Sequence, residues 1–139
     1  MQSKSFEEVL ERMQQLPITE PFDLIVAIAN GGIIPAALLN QTLGLDLHLL
    51  KLHLRDAHQK QLYDAPQLLE PLRVDVRGKR ILLVEDRIKT GTTVLFAVDL
   101  LKKAGAQCVK TFAVNGPADY SLYNETCFRF PWIRTQTKT

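Results

Sequence analysis

Four consecutive apolar residues, Ile81-Leu82-Leu83-Val84, run directly into two adjacent acids, Glu85-Asp86, and then through Arg87-Ile88 into Lys89-Thr90-Gly91-Thr92-Thr93. A short apolar run without polar alternation fits a strand covered on both faces, as in the parallel sheets of layered α/β proteins. Two carboxylates at its end, with no basic partner inside the strand, would be costly to bury unless a polyhydroxylated or metal-bound ligand meets them. The segment from Lys89 to Thr93 then offers successive backbone N–H groups and three hydroxyls at a helix start, an arrangement suited to an anion, with Gly91 permitting close approach. Either half alone is ordinary, since acids end strands and Thr and Gly cap helices. Together, after a buried strand, they point to a ligand site.

The rest of the chain repeats that pattern. Ser5 and Glu8 have capping-box spacing, and Phe6, Val9, Leu10 and Met13 recur at helical intervals before Pro17, which predicts a first helix. A strand is expected over residues 23–29, followed by Gly31-Gly32 and a helix from Pro35 to about Leu43 that Gly44 stops. Residues 45–54 read as a second strand, and 53–77 as a long polar connection, either a mobile flap or a small hairpin. Residues 80–84 and 109–114 read as two further strands around a helix whose apolar face is Val94, Leu95, Val98 and Leu101. Strands alternating with helices imply an α/β fold, a parallel sheet flanked by helices. Residues 117–139 hold aromatics without periodicity, and the polar tail 135–139 is expected to be disordered.

Composition narrows the function classes. With 17 basic and 15 acidic residues the net charge of +2 gives no general attraction to nucleic acid or membrane, so an anionic ligand has to be held by local geometry. The two cysteines, Cys108 and Cys127, have no paired spacing, which argues against a disulfide framework or zinc site and for a reducing cytoplasm. The N-terminal stretch is charged and amphipathic and does not read as a signal peptide or membrane span. The expectation is one domain over 1–139 in a soluble protein, with a core at about 5–116.

The stretch Ile81 to Thr93 is neither a P-loop nor a dinucleotide fingerprint. It resembles the phosphoribosyl pyrophosphate motif of type I phosphoribosyltransferases, in which four hydrophobic residues, two acids and a Thr-Gly turn come in this order. That resemblance extends over about 22–132. It implies that Glu85 and Asp86 contact the ribose hydroxyls and serve catalysis, while Lys89, Thr90, Gly91, Thr92 and Thr93 wrap the 5′-phosphate. It also implies that Asn30-Gly31-Gly32 is the pyrophosphate loop. Phe130-Pro131-Trp132 is similar to the C-terminal segment of small xanthine-guanine enzymes, so residues 117–134 are expected to form a hood, with Phe130 and Trp132 as base-stacking candidates beside the alternative of a packed aromatic tail. The family's mobile loop falls within 53–66, placing Arg55 among the catalytic candidates.

Three positions depart from the family pattern. Asn30 stands where a basic residue is usual, and Arg55 or Lys60 could restore that charge. Lys89 replaces the acid that faces N7 of a purine, and Val114 replaces a lysine that reads the purine 6-oxo group, leaving Asn115 as the candidate donor and acceptor for the base. The resemblance implies transfer of a 5-phosphoribosyl group from phosphoribosyl pyrophosphate to a nitrogenous base, with a purine among the candidates, in nucleotide salvage. Magnesium would arrive on the pyrophosphate rather than on protein ligands, and the enzyme would be a homodimer. The alternative from another class is a regulatory domain that binds phosphoribosyl pyrophosphate or a nucleotide without turning it over.

Overall fold

The structure, a computed structural model, describes residues 2–53 and 67–133. Helix α1 (Phe6–Gln15) begins as the capping pattern predicts, with the Ser5 hydroxyl accepting the Glu8 N–H at 3.1 Å. Strand β1 (Leu24–Ala29) leads to helix α2 (Ile33–Leu43), which ends at Gly44 with φ +66°. Strand β2 (Asp46–His53) follows, and after residues 54–66 comes the two-residue strand β3 (Gln67–Leu68). The second half consists of β4 (Arg80–Arg87), α3 (Thr92–Lys103), β5 (Cys108–Asn115) and β6 (Tyr120–Tyr123).

These strands form a sheet in the order β3-β2-β1-β4-β5-β6, parallel except for β3, which runs antiparallel to β2. On one face α1 and α2 bring Val9, Met13, Ala36 and Leu39 against Ile25, Ala27, Leu82, Val84 and Phe112. On the other, α3 brings Val94, Ala97 and Leu101 against Val26, Ile81, Leu83 and Ala113. Successive residues of β4 therefore enter different cores, which is why its sequence shows no alternation. Each side chain fully buried in these layers stabilises the fold by about 1.5–3 kcal/mol before entropy is counted.

Two features differ from the sequence expectation. Strand β4 continues through Arg87 because β5 continues beside it, pairing Glu85 with Ala113 and Arg87 with Asn115. The acids thus belong to the strand rather than following it. The second difference is β6, which lies parallel to β5 although only residues 116–119 join them, far shorter than an ordinary crossover. Gly116 reverses the chain at φ +135°, and Asp119 closes the turn by accepting from both the backbone N–H and the hydroxyl of Thr111, at 2.8 and 3.1 Å. A strand of four residues reached by so short a turn leaves no periodic trace.

Candidate functional site

In an open parallel sheet, ligands bind beyond the carboxyl ends of the strands where the strand order reverses. Here that point lies between β1 and β4, since the chain adds β2 on one side of β1 and later β4 on the other. Both glycine-bearing turns singled out in the sequence emerge there. They also touch. A Cβ placed on Gly31 would stand 2.6 Å from Oδ1 of Asp86, so only a residue without a side chain lets the loop lie against that carboxyl group. A Cβ on Gly32 would stand 2.3 Å from the Val84 carbonyl oxygen, which ties the same loop to the β4 backbone. The Ala29–Asn30 peptide is cis.

The two acids differ in surroundings. Glu85 accepts the Asp86 N–H at 3.0 Å, and Asp86 accepts the Arg87 N–H at 2.6 Å. Among the described residues neither forms an ion pair with a lysine or arginine. Burial, with the neighbouring Asp86 charge second, pushes the Glu85 carboxyl up to about 9. At neutral pH Glu85 is therefore a protonated group that can donate as well as accept, which suits a ligand hydroxyl.

Beyond the strand, Gly91 precedes α3 at φ +83°. The Thr90 and Thr92 hydroxyls stand 3.1 Å apart, and the Thr92 N–H donates to Thr90 at 3.3 Å. The first N–H bonded along the helix is that of Leu95, to the Gly91 carbonyl at 2.8 Å, so Thr93 and Val94 present theirs at the positive end of the helix. Lys89, Thr90 and Gly91 line a 340 Å³ groove that continues over Val94, Leu95 and Val98. Lys89 also lines a second cavity of 230 Å³, shared with Arg87, Ile88, Asn115, Gly116, Asn124, Glu125 and Cys127. Asn124, Glu125 and Cys127 thus wall one side of that cavity.

The aromatic base-contact candidates take the packed arrangement that the sequence left open as the alternative. Phe130 is only 1% exposed and lies in the α1–α2 core, with Trp132 stacked on it at 5.1 Å and the Arg87 guanidinium 4.6 Å from its ring centre. Its faces are occupied by protein. Trp132 is half-buried against the same core, and neither aromatic residue lines the 230 Å³ cavity. Asn115 does line it, yet its carboxamide is engaged: the amide donates to the Glu125 carbonyl at 3.2 Å, and its oxygen accepts the Glu125 N–H at 3.0 Å. It holds the wall in place. Arg55 and Lys60 lie outside the described residues, as does the tail 135–139.

Sequence reasoning missed Arg87, to which it gave no role. The side chain donates to the Phe128 carbonyl at 2.6 Å, while its buried Nε has no hydrogen-bond partner among the described residues. Its position between the acid pair and Lys89 was the available signal, since a charged residue at a parallel strand's carboxyl end faces the ligand crevice.

Among the described residues no three His, Cys, Asp or Glu side chains cluster as a metal shell, and no helix is long and apolar enough to cross a membrane. Residues 6–132 match the family model described as the phosphoribosyl transferase domain. A xanthine-guanine phosphoribosyltransferase from Gluconobacter oxydans is 30% identical over 116 residues, covering 81% of this chain and 69% of that relative. A ribose-phosphate pyrophosphokinase from Pyrococcus furiosus is 30% identical over 93 residues, 67% of this chain, and the match spans only 31% of that longer relative. The crystal structure of a purine phosphoribosyltransferase from Pyrococcus horikoshii Ot3 superimposes with a TM-score of 0.75 at 23% identity, covering 99% of this chain and 97% of the other, a likeness of fold. The motif at the switch point and a family match over nearly the whole length lead to one conclusion: this chain belongs to the phosphoribosyl transferase domain family.

Proposed function

We propose that the protein transfers a 5-phosphoribosyl group from phosphoribosyl pyrophosphate to a nitrogenous base. The observation that carries this reading is the contact between Gly31 and the Asp86 carboxyl group at the switch point, which joins the glycine loop to the acid pair a few residues before the hydroxyl-rich helix start. In this reading Glu85 and Asp86 hold the two ribose hydroxyls, the N–H groups and hydroxyls of 89–93 hold the 5′-phosphate, and the 30–32 loop holds the pyrophosphate. Magnesium would be held chiefly by the substrate's own phosphate oxygens, as this cation commonly is. When bound, it would neutralise charge on the departing pyrophosphate.

The chain's own residues then act by position. The ribose is fixed through its hydroxyls and phosphate, so that C1′ faces the acceptor nitrogen in line with the departing oxygen. The Gly32 and Ile33 N–H groups donate to the Ile28 and Asn30 carbonyls, so it is the Gly31 N–H that would meet the negative charge growing on the pyrophosphate. No protein nucleophile is required. The curated relatives named above are enzymes, and no observation favours the regulatory alternative. The proposal includes nucleotide salvage in a reducing cytoplasm, which the two free cysteines support. It also includes a homodimer, supported by exposed Leu49, Leu68 and Leu69 at the β2–β3 edge.

The test is pyrophosphate release from phosphoribosyl pyrophosphate and magnesium with a panel of purine and pyrimidine bases. Release that depends on a base is expected. Binding of the donor without release for any base would support the regulator instead.

A further inference from the structure

Asn115 is the one polar residue enclosed in the interior among the described residues, at 3% exposed. A carboxamide in apolar surroundings is costly unless its donor and acceptor are both used. Here both go to one place. The amide donates to the carbonyls of Glu125 and Thr126 at 3.2 and 3.5 Å, and its oxygen accepts the Glu125 N–H at 3.0 Å. Residues 124–127 belong to no helix or strand, so this side chain supplies bonds that a neighbouring strand would otherwise give. The carbonyl of the same residue accepts the Ile88 N–H at 2.9 Å, one position before Lys89. Asn115 therefore joins the stretch that carries the acid pair and the 89–93 loop to the segment at 124–127.

That segment is also held from its other side. The Lys4 Nζ lies 2.9 Å from the Glu125 carboxylate, and 4.8 and 5.2 Å from the ring centres of Tyr123 and Phe128. Its side chain is only 18% exposed, so the two rings direct the ammonium toward Glu125 instead of leaving it to sample solvent. The backbone is fixed as well, because the Lys4 N–H donates to the Arg129 carbonyl at 3.2 Å and the Arg129 N–H donates to the Gln2 carbonyl at 2.7 Å. Asn124, Glu125 and Cys127 line the same 230 Å³ cavity as Lys89, and Lys89 also lines the 340 Å³ groove of the 89–93 loop. Displacing this wall would alter the space beside the loop and leave the loop itself in place.

We propose that Asn115 and Lys4 are positioning residues for the transfer, which hold Glu125 between them and so fix the wall at 124–127 against the loop at 89–93. The proposal rests on the transferase reading above. Both act through the wall: Lys4 lines neither cavity, and the Asn115 carboxamide is already bonded to residues 125 and 126. In that reading the donor is held by residues 30–32, 85–86 and 89–93, none of them in the wall, so the effect of loosening it falls on the second substrate, the base.

Pyrophosphate release with magnesium tests this, varying phosphoribosyl pyrophosphate and, separately, the base of the purine and pyrimidine panel that gives the fastest release. Lys4→Met keeps an apolar stem and removes the charge. It should raise KM for the base about fivefold, the scale of a partly screened ion pair with its ring contacts, while KM for phosphoribosyl pyrophosphate changes by less than about twofold. Lys4→Arg, which can keep both contacts, should restore most of the loss. Adding Glu125→Gln to Lys4→Met should raise KM no further, since both remove one interaction. Asn115→Asp, nearly isosteric, sets an acceptor against the Glu125 carbonyl and should raise the same KM more; where it fails to fold, the Lys4 variants carry the test. Equal changes in both KM values, a change confined to kcat or melting temperature, or an additive loss in the double variant would overturn the inference and leave the transferase reading intact. If no base releases pyrophosphate from the parent, the transferase reading fails, and calorimetry of guanosine and uridine 5′-monophosphates against ribose 5-phosphate decides the inference. A monophosphate advantage that Lys4→Met reduces and Lys4→Arg keeps would support it; an unchanged advantage, or none in the parent, would overturn it.

Discussion

Glu85 is the residue whose chemistry departs most from its ordinary behaviour. Its carboxyl group, normally ionised above 4.5, stays protonated in the folded protein up to about 9, chiefly because burial disfavours the charge and secondarily because Asp86 adjoins it. In the unfolded chain it ionises at the ordinary value. Between those limits the unfolded state has released a proton that the folded state retains, so stability falls as pH rises across the window and levels off above it. Glu85→Gln removes that slope and the cost of confining the acid. Thermal unfolding of the variant at pH 8 is expected to show stabilisation of about 1–3 kcal/mol, with a flatter pH profile than the parent between pH 5 and 9. A variant less stable than the parent at pH 8 would mean that Glu85 has a stabilising partner. The importance of the acids was legible in the sequence because two carboxylates at the end of an apolar strand are conspicuous. The occupied faces of Phe130 and the engaged amide of Asn115 were not, since both depend on contacts with residues distant along the chain. An aromatic residue in a tail reads the same whether it stacks on a ligand or fills a core.

At the scale of elements, the glycine turn between β1 and α2 and the end of β4 form one unit. Gly31→Ala would place a methyl carbon 2.6 Å from the Asp86 carboxyl oxygen, and that side chain would have to move. Because a side chain can rotate more cheaply than a strand can shift, the predicted effect falls on function. Calorimetric affinity for phosphoribosyl pyrophosphate should drop about tenfold, while the melting temperature changes by only a few degrees. Unchanged affinity would separate the turn from the acid pair. Gly31 and Gly32 were readable as a turn before a helix, and the capping of α1 by Ser5 was readable from spacing alone. The continuation of β4 to Arg87 and the presence of β6 were not, because each depends on pairing with β5. Local pattern marks where a strand can begin more reliably than how far a neighbour will extend it.

At the scale of the molecule, the sheet order places two turns that are distant in sequence at one reversal point between β1 and β4. The parallel α/β class followed from alternation of elements, whereas the meeting of the 30–32 turn with the end of β4 follows from the order in which strands are laid down. Helices on both faces bury the strands from above and below, and the ligand is expected at the carboxyl ends of β1 and β4. The proposed transfer depends on the acid pair binding the phosphoribosyl group. Calorimetry of phosphoribosyl pyrophosphate with magnesium, comparing the parent with the near-isosteric double variant Glu85→Gln/Asp86→Asn, tests that directly. Clear binding by the parent and a loss of about tenfold or more in the double variant are expected, whereas equal affinity in the two proteins would rule out binding through the acid pair.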